Sequence, residues 1–345
     1  ELFGRKPRTK TPRQIVAELE TLRALGYRGH VDFVDDNFIG HRKRAKEILR
    51  AVKEWSVEHA HPFFFSTEAS INLADDDELL ALMQDLDFRY IFVGIESADE
   101  RVLASAQKQQ NLNRDIVADL KKIYRHGIVV NGGFILGFDQ ESSACADGII
   151  DVIESGNIVM AMVGLLFALP NTQLRRRLQR EGRLFDVGRT VRQEDEKAEN
   201  QIDQTASGLN FVTNRPRTEV LEDFLKVIDE TYSVKNYFDR CLRLSKDLEI
   251  NPRFKPNWRT KLRYARAFIK LAVRLGLWPS TCYYFWRNLF AILLTRPAAA
   301  ETLVNLMAMY LHFGPQSEFL ARLTEEKIRD IPPAETQVSE SARPT

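Results

Sequence analysis

The first 170 residues alternate between short apolar runs and longer amphipathic segments, with a repeat of roughly thirty residues. The apolar runs predict five strands, at 31–34, 63–68, 90–97, 128–137 and 159–169. The segments before and between them predict helices, near 12–25, 41–58, 75–86, 113–126 and 142–155. Strands and helices that alternate in this way indicate a parallel sheet with right-handed crossovers. Because the strands read as continuous apolar runs, we expect both faces of the sheet to be covered.

The repeat does not by itself distinguish a barrel from an open doubly wound sheet. However, no G-x-G-x-x-G turn follows the first predicted strand, which weakens a dinucleotide-binding interpretation and favours a barrel or partial barrel. After about residue 175 the pattern changes. We therefore predict a barrel over 1–175, a charged connection over 176–217, a helical extension over 218–330 and a disordered tail over 331–345.

The first predicted strand ends in an unusual concentration of polar groups. Asp35, Asp36 and Asn37 follow directly after Val31–Val34. In parallel α/β folds ligands bind at the carboxyl ends of the strands, so these residues are candidates for a binding site. The alternative is that they cap the following helix, since Asp and Asn are favoured caps. The local sequence leaves both interpretations open.

Composition narrows the class of protein. Hydrophobic residues make up 44% of the 345 positions and charged residues 28%, as in globular proteins. The net charge of +1 gives no argument for a nucleic-acid partner. The three cysteines, Cys145, Cys241 and Cys282, lie far apart, which argues against a disulfide scaffold and favours a reducing, cytoplasmic compartment.

One stretch departs from this balance. Residues 251–300 contain ten Lys or Arg and no Asp or Glu, interleaved with Trp and Tyr. The stretch could be a helical hairpin with a solvated cationic face, or it could lie peripherally on an anionic membrane surface, such as the inner membrane face. The third interpretation is nucleic-acid binding. It is not expected, because the aromatic residues fall at helix-core spacing rather than in a stacking platform.

Five motifs in order resemble the radical S-adenosylmethionine (SAM) enzymes. ELFGRKPRTK (1–10) with GHVDFVDDNFIG (29–40) looks like the run that follows the cluster-binding cysteines. YIFVGIES (90–97), GGFILGFD (132–139) and LFALPNT (166–172) look like the fourth, fifth and sixth barrel strands. The similarity is greatest to the branch with a cobalamin (B12)-binding domain and a C-terminal helical extension, and hopanoid C-2 methylases are similar along the whole stretch.

This resemblance implies a fold and an activity. The fold is a partial TIM-like (β/α)6 barrel whose first strand precedes Glu1, followed by a mainly α-helical extension. The cofactors are a [4Fe–4S] cluster, SAM and cobalamin. The implied reaction is methyl transfer to an unactivated carbon of a lipid-like or other small molecule, with flavodoxin or ferredoxin as electron donor. Two alternatives stay open: a rearrangement or cyclisation without methyl transfer, and a non-catalytic binding module without a cluster.

The family's cluster motif, C-x3-C-x2-C, is not found in residues 1–345. The three widely spaced cysteines do not replace it, because cluster ligands are closely spaced thiolates. We expect the cluster cysteines and the B12-binding domain upstream of Glu1, and we expect residues 1–345 alone to be inactive.

The resemblance also assigns roles to residues at the strand ends. Asp35, Asp36 and Asn37 would face the SAM ammonium or the substrate, with Glu68 on the same rim, and Glu96 with Ser97 would meet the ribose. The adenine would lie against the remaining set, which is Gly133, Ile135, Gly137, Leu169, Pro170 and Asn171. For the paired glycines 132–133 the alternative is an ordinary strand bulge, and for Glu96 and Ser97 an interstrand or helix-capping pair.

Three further assignments come from the same resemblance. Asp139 stands where the family usually has Glu. Arg101 or Lys108 could meet the SAM carboxylate. A basic loop follows the cluster motif, at Arg5, Lys6, Arg8 and Lys10, and could contact SAM or the cobalamin domain, or simply be solvated.

Overall fold

A computed structural model of the chain describes residues 9–106, 108–185 and 208–331. Its centre is a single parallel sheet of five strands that lie side by side in chain order. The strands are β1 (Gly29–Phe33), β2 (Phe63–Glu68), β3 (Phe88–Glu96), β4 (Val129–Leu136) and β5 (Ala161–Leu165). This arrangement confirms the predicted fold, a partial TIM-like barrel followed by a mainly helical region.

Seven helices of the described chain belong to the strand–helix repeat and its exit: α1 (Pro12–Ala24), α2 (Arg42–Glu58), α3 (Asp77–Asp85), α4 (Glu100–Ser105), α5 (Ile116–Tyr124), α6 (Cys145–Ser155) and α7 (Gln173–Arg180). Five more form the C-terminal region: α8 (Arg217–Tyr232), α9 (Val234–Asp247), α10 (Trp258–Gly276), α11 (Cys282–Thr295) and α12 (Ala300–Asp330). Short 3-10 turns lie at Ile71–Asp75, Gln109–Asn111 and Pro297–Ala299.

Local sequence sets the helix ends. The Thr11 side chain accepts a hydrogen bond from the Gln14 N–H, and the Gln14 side chain accepts one from the Thr11 N–H, which forms a capping box with Pro12 in the first turn. At the other end Gly26 has a φ of +83°, the left-handed conformation that favours glycine after a helix. The predicted first helix therefore has the predicted limits.

The two faces of the sheet differ, so the expectation that both are covered is wrong for the described residues. On one face Phe65, Val93 and Phe134 are buried beneath the helices. The other face carries alternate residues that stay open, among them Asp32, Glu68 and Met162. The continuous apolar runs concealed this alternation because several open-face positions, such as Phe64 and Phe92, are themselves hydrophobic.

Aromatic rings pack the buried side of the first three strands. Phe33, Phe65 and Phe88 lie on neighbouring strands with ring centroids 5.3–5.8 Å apart. Phe38, from the turn after β1, folds back so that its ring centroid lies 5.4 Å from that of Phe33. This contact holds the turn that contains Asp35 and Asp36 against the core.

The C-terminal helices close one flank of the sheet. α8 packs on α6 and β5, and its Tyr232 hydroxyl donates to the Ala161 carbonyl of β5 at 2.6 Å. Arg240 of α9 is fully buried; it donates to the Ile158 carbonyl at 2.9 Å and pairs with Glu154. α10 and α11 form a helical hairpin on this base.

Several expectations concern residues beyond the described ranges. The basic residues Arg5, Lys6 and Arg8, most of the charged connection (186–207) and the tail from 332 lie there. The proposed domain boundaries stay predictions.

Candidate functional site

The carboxyl ends of the five parallel strands lie along one edge of the sheet, and this edge is called the mouth from here on. It carries the ends of β1, β2 and β3, where the sequence placed Asp35, Asp36, Glu68 and Glu96. Register brings these ends together: Phe33 of β1 pairs with Thr67 of β2, and Glu68 pairs with Phe92 of β3. The mouth is therefore an acidic rim.

The turn after β1 does not cap the next helix. Helix α2 begins at Arg42, and its cap is His41, whose ring nitrogen accepts from the Arg44 N–H at 3.4 Å. Asp35 instead accepts the Asn37 N–H at 2.9 Å, which closes an Asx turn. The capping interpretation of the acidic pair is thus wrong.

Asn37 ties this turn to the next strand end. Its side-chain oxygen accepts from the Ser70 N–H at 3.1 Å, and the Phe38 N–H donates to the Glu68 carbonyl at 2.9 Å. These two bonds leave the carboxylates of Asp35 and Asp36 facing solvent at the mouth. Within the described chain neither carboxylate forms an ion pair.

Glu68 belongs to the same acidic group. Partial burial, and then the negative charges of Asp36, Asp32 and Asp35, raise the pKa of its carboxyl. Like charges held close together without a cation favour binding of a cationic group, because such a group relieves their repulsion. An ammonium or sulfonium ion has this chemistry.

Glu96 lies in a strained position at the end of β3. Its φ is +71°, uncommon for a residue with a side chain, and strain of this kind is concentrated at functional sites. Its carboxylate folds back over Gly94, where a Cβ would lie only 2.8 Å from the Glu96 Oε1. Lys108 pairs with this oxygen at 2.6 Å.

The neighbouring loop fixes this strand end from behind. The Asn111 amide donates to the carbonyls of Gly94 and Ile95, both at 3.0 Å. Ser97 is buried, and its hydroxyl accepts the Asp99 N–H at 3.1 Å. Of the two cations considered for the SAM carboxylate, Lys108 therefore holds Glu96, and Arg101 is paired with Asp99 at 2.7 Å.

Glycines within β4 and directly after it are closely packed within the chain. A Cβ at Gly133 would lie 2.6 Å from the Phe92 ring, and one at Gly137, whose φ is +105°, would lie 2.5 Å from Leu209. Ile135 is half-buried on the open face. The packing explains why glycine is needed at both positions; contact of this strand with an adenine stays a prediction.

The segment after β5 forms a loop. β5 ends at Leu165 instead of 169, so Leu169 lies outside the strand, as Pro170 and Asn171 were predicted to do. Asn210 fastens this loop: its side-chain oxygen accepts the Ala168 N–H at 2.8 Å. Asn171 has a φ of +64°, and the turn is followed by α7 with Thr172 as its cap. A role of this loop in cofactor binding stays a prediction.

Two groups at or near the mouth are absent from the sequence-based site. On the open face of β1 and β2, Ser66 donates to Asp32 and lies 2.7 Å from the His30 Nε2. The sequence could have revealed this group, because residues 30 and 32, and residues 64, 66 and 68, are spaced by two and therefore lie on one face of the sheet.

The other missed residue is Glu141. Both of its oxygens accept the Gly137 N–H at 2.9 Å, so Glu141 holds the turn after β4. Asp139, considered as the counterpart of the family's Glu, instead pairs with Arg177 and Arg183 at 2.6 Å each. Burial raises the pKa of Glu141 to about 7, and the Gly137 and Phe138 N–H groups partly oppose that shift.

The described residues do not fit an iron–sulfur cluster. They contain no group of three or more His, Cys, Asp or Glu side chains that could hold a metal. Burial, with the charges of Glu141 and Asp223, raises the pKa of Cys145 to about 12, and burial likewise raises the pKa of Cys241. Protonated, buried and separate thiols are poor cluster ligands. The acidic mouth, in contrast, fits the ammonium of SAM.

A cavity elsewhere in the molecule is not part of this site. It is lined by Gln84, Tyr90 and Glu301, among others, and lies at the amino end of β3. None of the predicted site residues lines it.

Comparison with protein families identifies both halves of the chain. Residues 2–153 match the model of the radical SAM superfamily. The chain carries a radical SAM domain. This domain is followed, over residues 172–326, by a match to a domain of unknown function, DUF4070. The acidic mouth from β1 to β4 thus lies within the radical SAM domain.

Two curated relatives are similar to this chain. The chain is 37% identical over 330 residues to an uncharacterized methyltransferase of Synechocystis, a match that covers 95% of this chain and 59% of the relative. It is 42% identical over 183 residues to the hopanoid C-2 methylase of Rhodopseudomonas palustris, covering 53% of this chain and 35% of that protein. The chain thus spans between about a third and three fifths of the length of these relatives.

A solved structure of the cobalamin-dependent SAM radical enzyme OxsB aligns with 98% of this chain and 53% of that chain, with a TM-score of 0.48 and 15% identity.

Proposed function

We propose that the protein to which this chain belongs is a cobalamin-dependent radical SAM methyltransferase. The proposed substrate is a lipid-like or other small molecule that is methylated at an unactivated carbon. The observation that carries the proposal is the acidic mouth inside a radical SAM domain, where the carboxylates of Asp35 and Asp36 pair with no cation of the described part of the chain. The 42% identity to a hopanoid C-2 methylase supports methyl transfer and a lipid-like substrate.

The residues of this chain have a binding role in the proposal. When bound, SAM supplies the methyl group and, with an iron–sulfur cluster, the radical chemistry. Asp35 and Asp36 attract the SAM ammonium, while Asn37 holds their turn against Ser70. Glu96, fixed by Lys108, accepts from the ribose hydroxyls in the same way as acidic residues do at the ends of dinucleotide-binding strands. The open face of the sheet, which carries Phe92 and Met162, borders the space for an apolar substrate.

The proposal includes its environment. The cluster and cobalamin are bound by parts of the protein other than the described residues. A flavodoxin or ferredoxin supplies the electron, and the sparse, unpaired cysteines are consistent with a cytoplasmic location.

The test is anaerobic reconstitution of the full-length protein with iron, sulfide and cobalamin, followed by assays for 5′-deoxyadenosine and S-adenosylhomocysteine. The proposal expects both products in the presence of substrate. Formation of 5′-deoxyadenosine without S-adenosylhomocysteine would argue for radical chemistry without methyl transfer. If a protein with a complete cluster forms neither of the two products, that result would contradict an enzymatic role.

A further inference from the structure

Helix α10 presents two parallel stripes of opposite character to solvent. The apolar stripe consists of Trp258, Leu262, Ala265, Ile269 and Val273. The basic stripe consists of the residues that directly follow them, Arg259, Arg263, Arg266, Lys270 and Arg274. Both repeat at i, i+4, i+7, i+11 and i+15, so each runs straight along the helix and the two lie side by side.

The apolar stripe is not used for packing within the described chain. Trp258 is 69% exposed, Leu262 45%, Ile269 62% and Val273 55%. The helix packs instead through Leu271 and Leu275, which are buried on a different side. Leu277 and Trp278 extend the exposed apolar surface beyond the end of the helix. A contiguous exposed surface of this kind is typical of an interaction site.

The basic stripe is equally free of partners. No carboxylate of the described residues pairs with Arg263, Arg266, Lys270 or Arg274, and residues 251–300 contain no Asp or Glu. Arg259 stacks on the Trp258 ring, with its guanidinium carbon 5.4 Å from the ring centroid. The basic charges are therefore not neutralised by acidic groups of the described residues.

From this pairing of stripes we propose that α10 docks the protein onto an anionic phospholipid membrane. An amphipathic helix that lies in the interface buries its apolar residues among the acyl chains, while adjacent Lys and Arg side chains reach the phosphates. The exposed Trp258 and Trp278 have the amphipathic character that places Trp at the headgroup level. No described helix is both long and apolar enough to cross a membrane. The proposed contact is peripheral because the apolar stripe enters only the interface.

The structure also locates this surface relative to the mouth. The segment that leads into α10 is anchored where the Phe254 N–H donates to Asp87 at 3.0 Å. Asp87 precedes the first residue of β3, so the anchor lies at the amino ends of the strands. The membrane surface thus begins at the opposite end of the sheet from the mouth. Docking is therefore a role separate from cofactor binding, and it does not depend on the proposed reaction.

The test is co-sedimentation of the purified protein with vesicles of phosphatidylglycerol or of phosphatidylcholine at low salt. We expect binding to the anionic vesicles only, with loss of binding as salt is raised. The quadruple variant Arg263→Gln, Arg266→Gln, Lys270→Gln and Arg274→Gln is expected to lower the partition coefficient at least tenfold. The matched control, Arg13→Gln, Lys43→Gln, Lys121→Gln and Arg125→Gln, changes the net charge equally on scattered exposed positions and is expected to bind like the wild type.

The apolar stripe has its own control. Ile269→Ser with Val273→Ser is expected to weaken vesicle binding severalfold, whereas Leu25→Ser with Val57→Ser, which alters exposed apolar residues elsewhere, leaves it unchanged. The thermal midpoints of all variants are compared to exclude unfolding. In the wild type, anionic vesicles are expected to shift the tryptophan emission to shorter wavelength, and Trp258→Phe reduces that shift.

Four outcomes would overturn the proposal. The first is absence of binding to anionic vesicles at low salt, and the second is an equal loss in both quadruple variants, which would indicate attraction by net charge alone. The third is a dimer that Ile269→Ser with Val273→Ser dissociates, since a second copy would then occupy the apolar stripe. The fourth is preferential binding of a single-stranded DNA probe that competes with the vesicles, which would mean that the surface binds nucleic acid instead of a membrane.

Discussion

The acidic groups at the mouth and those beneath the C-terminal helices are treated in opposite ways by the fold. At the mouth, Asp35 and Asp36 face solvent, and no cation of the described residues pairs with either of them. Where the C-terminal helices pack, Glu154 is held by Arg240 and Arg243, and Asp223 of α8 is held by Arg215 at 2.7 Å. Carboxylates that are already paired stabilise the folded chain, whereas unpaired carboxylates on a rim remain available to a ligand. We propose that this difference separates structural charge from charge that binds a ligand in this molecule.

Arg240 provides the strongest test of the structural side. It is fully buried and bonded to Glu154 and to the carbonyls of Ile158 and Thr231. Arg240→Met would remove the buried donor of the two carbonyls and leave Glu154 with Arg243 alone, and loss of one partner of a buried pair costs about 3–5 kcal/mol. Denaturant unfolding measures this loss.

The matched control is Arg243→Met, which removes a cation from the same Glu154 at a partly exposed position. We expect a loss of at most about 1 kcal/mol there. Equal losses in the two variants would mean that burial is not what distinguishes these pairs.

Glu141 should have the second largest effect on the free energy of unfolding. Its contribution falls as the pH rises, whereas that of a carboxylate in an ordinary ion pair falls as the pH is lowered. Burial raises the pKa of Glu141 from 4.5 to about 7, so between these pH values the folded state holds a proton that the unfolded state has released. The stability due to this group is therefore complete below pH 4.5 and is lost as the pH rises through about 7, by up to about 3 kcal/mol.

The measurement compares the wild type with Glu141→Gln at pH 5 and pH 8. Glutamine keeps an acceptor for the Gly137 N–H but does not titrate. We expect the wild type to lose stability relative to the variant at the higher pH. A difference between the two proteins that does not change with pH would show that Glu141 is ionised throughout.

The Lys108–Glu96 pair combines features of the two regions, because Glu96 lies at the mouth but is already paired with a cation. Breaking this pair should have a small effect on stability. The pair is partly exposed, so Lys108→Gln is expected to change the free energy of unfolding by less than about 1 kcal/mol. Lys226→Gln, which breaks the exposed pair with Asp147, is the comparison. A much larger loss of unfolding free energy in Lys108→Gln than in Lys226→Gln would mean that the Lys108–Glu96 pair stabilises the fold, as the pairs of Glu154 do.

The sequence predicted the sheet well because its signals are local. Apolar runs of strand length and the polar residues that end them located all five strands of the sheet, and the ends of β2 agree with the prediction residue for residue. Strand ends in a parallel sheet must share an edge, so the acidic mouth followed from the chain order alone.

What the sequence did not reveal depends on contacts between distant residues. The bond between Ser66 and Asp32 needs the register of β1 and β2, and the burial of Glu141 needs α8 packed against α6. The two stripes of α10 were visible as composition, but their exposure depends on which side of the helix packs. The open face of the sheet was not predicted for the same reason, because the layer packed against a sheet face determines whether that face is buried.

The central claim, that the mouth binds SAM through its unpaired carboxylates, is tested most directly by the SAM dissociation constant of the reconstituted full-length protein. We compare the wild type with Asp36→Asn and use Glu58→Gln as the control, because Glu58 is an exposed carboxylate at the end of α2, which leads into the amino end of β2. We predict about tenfold weaker binding for Asp36→Asn, equivalent to about 1.4 kcal/mol, with an unchanged free energy of unfolding. Unchanged SAM affinity in Asp36→Asn and also in Asp35→Asn would contradict the claim.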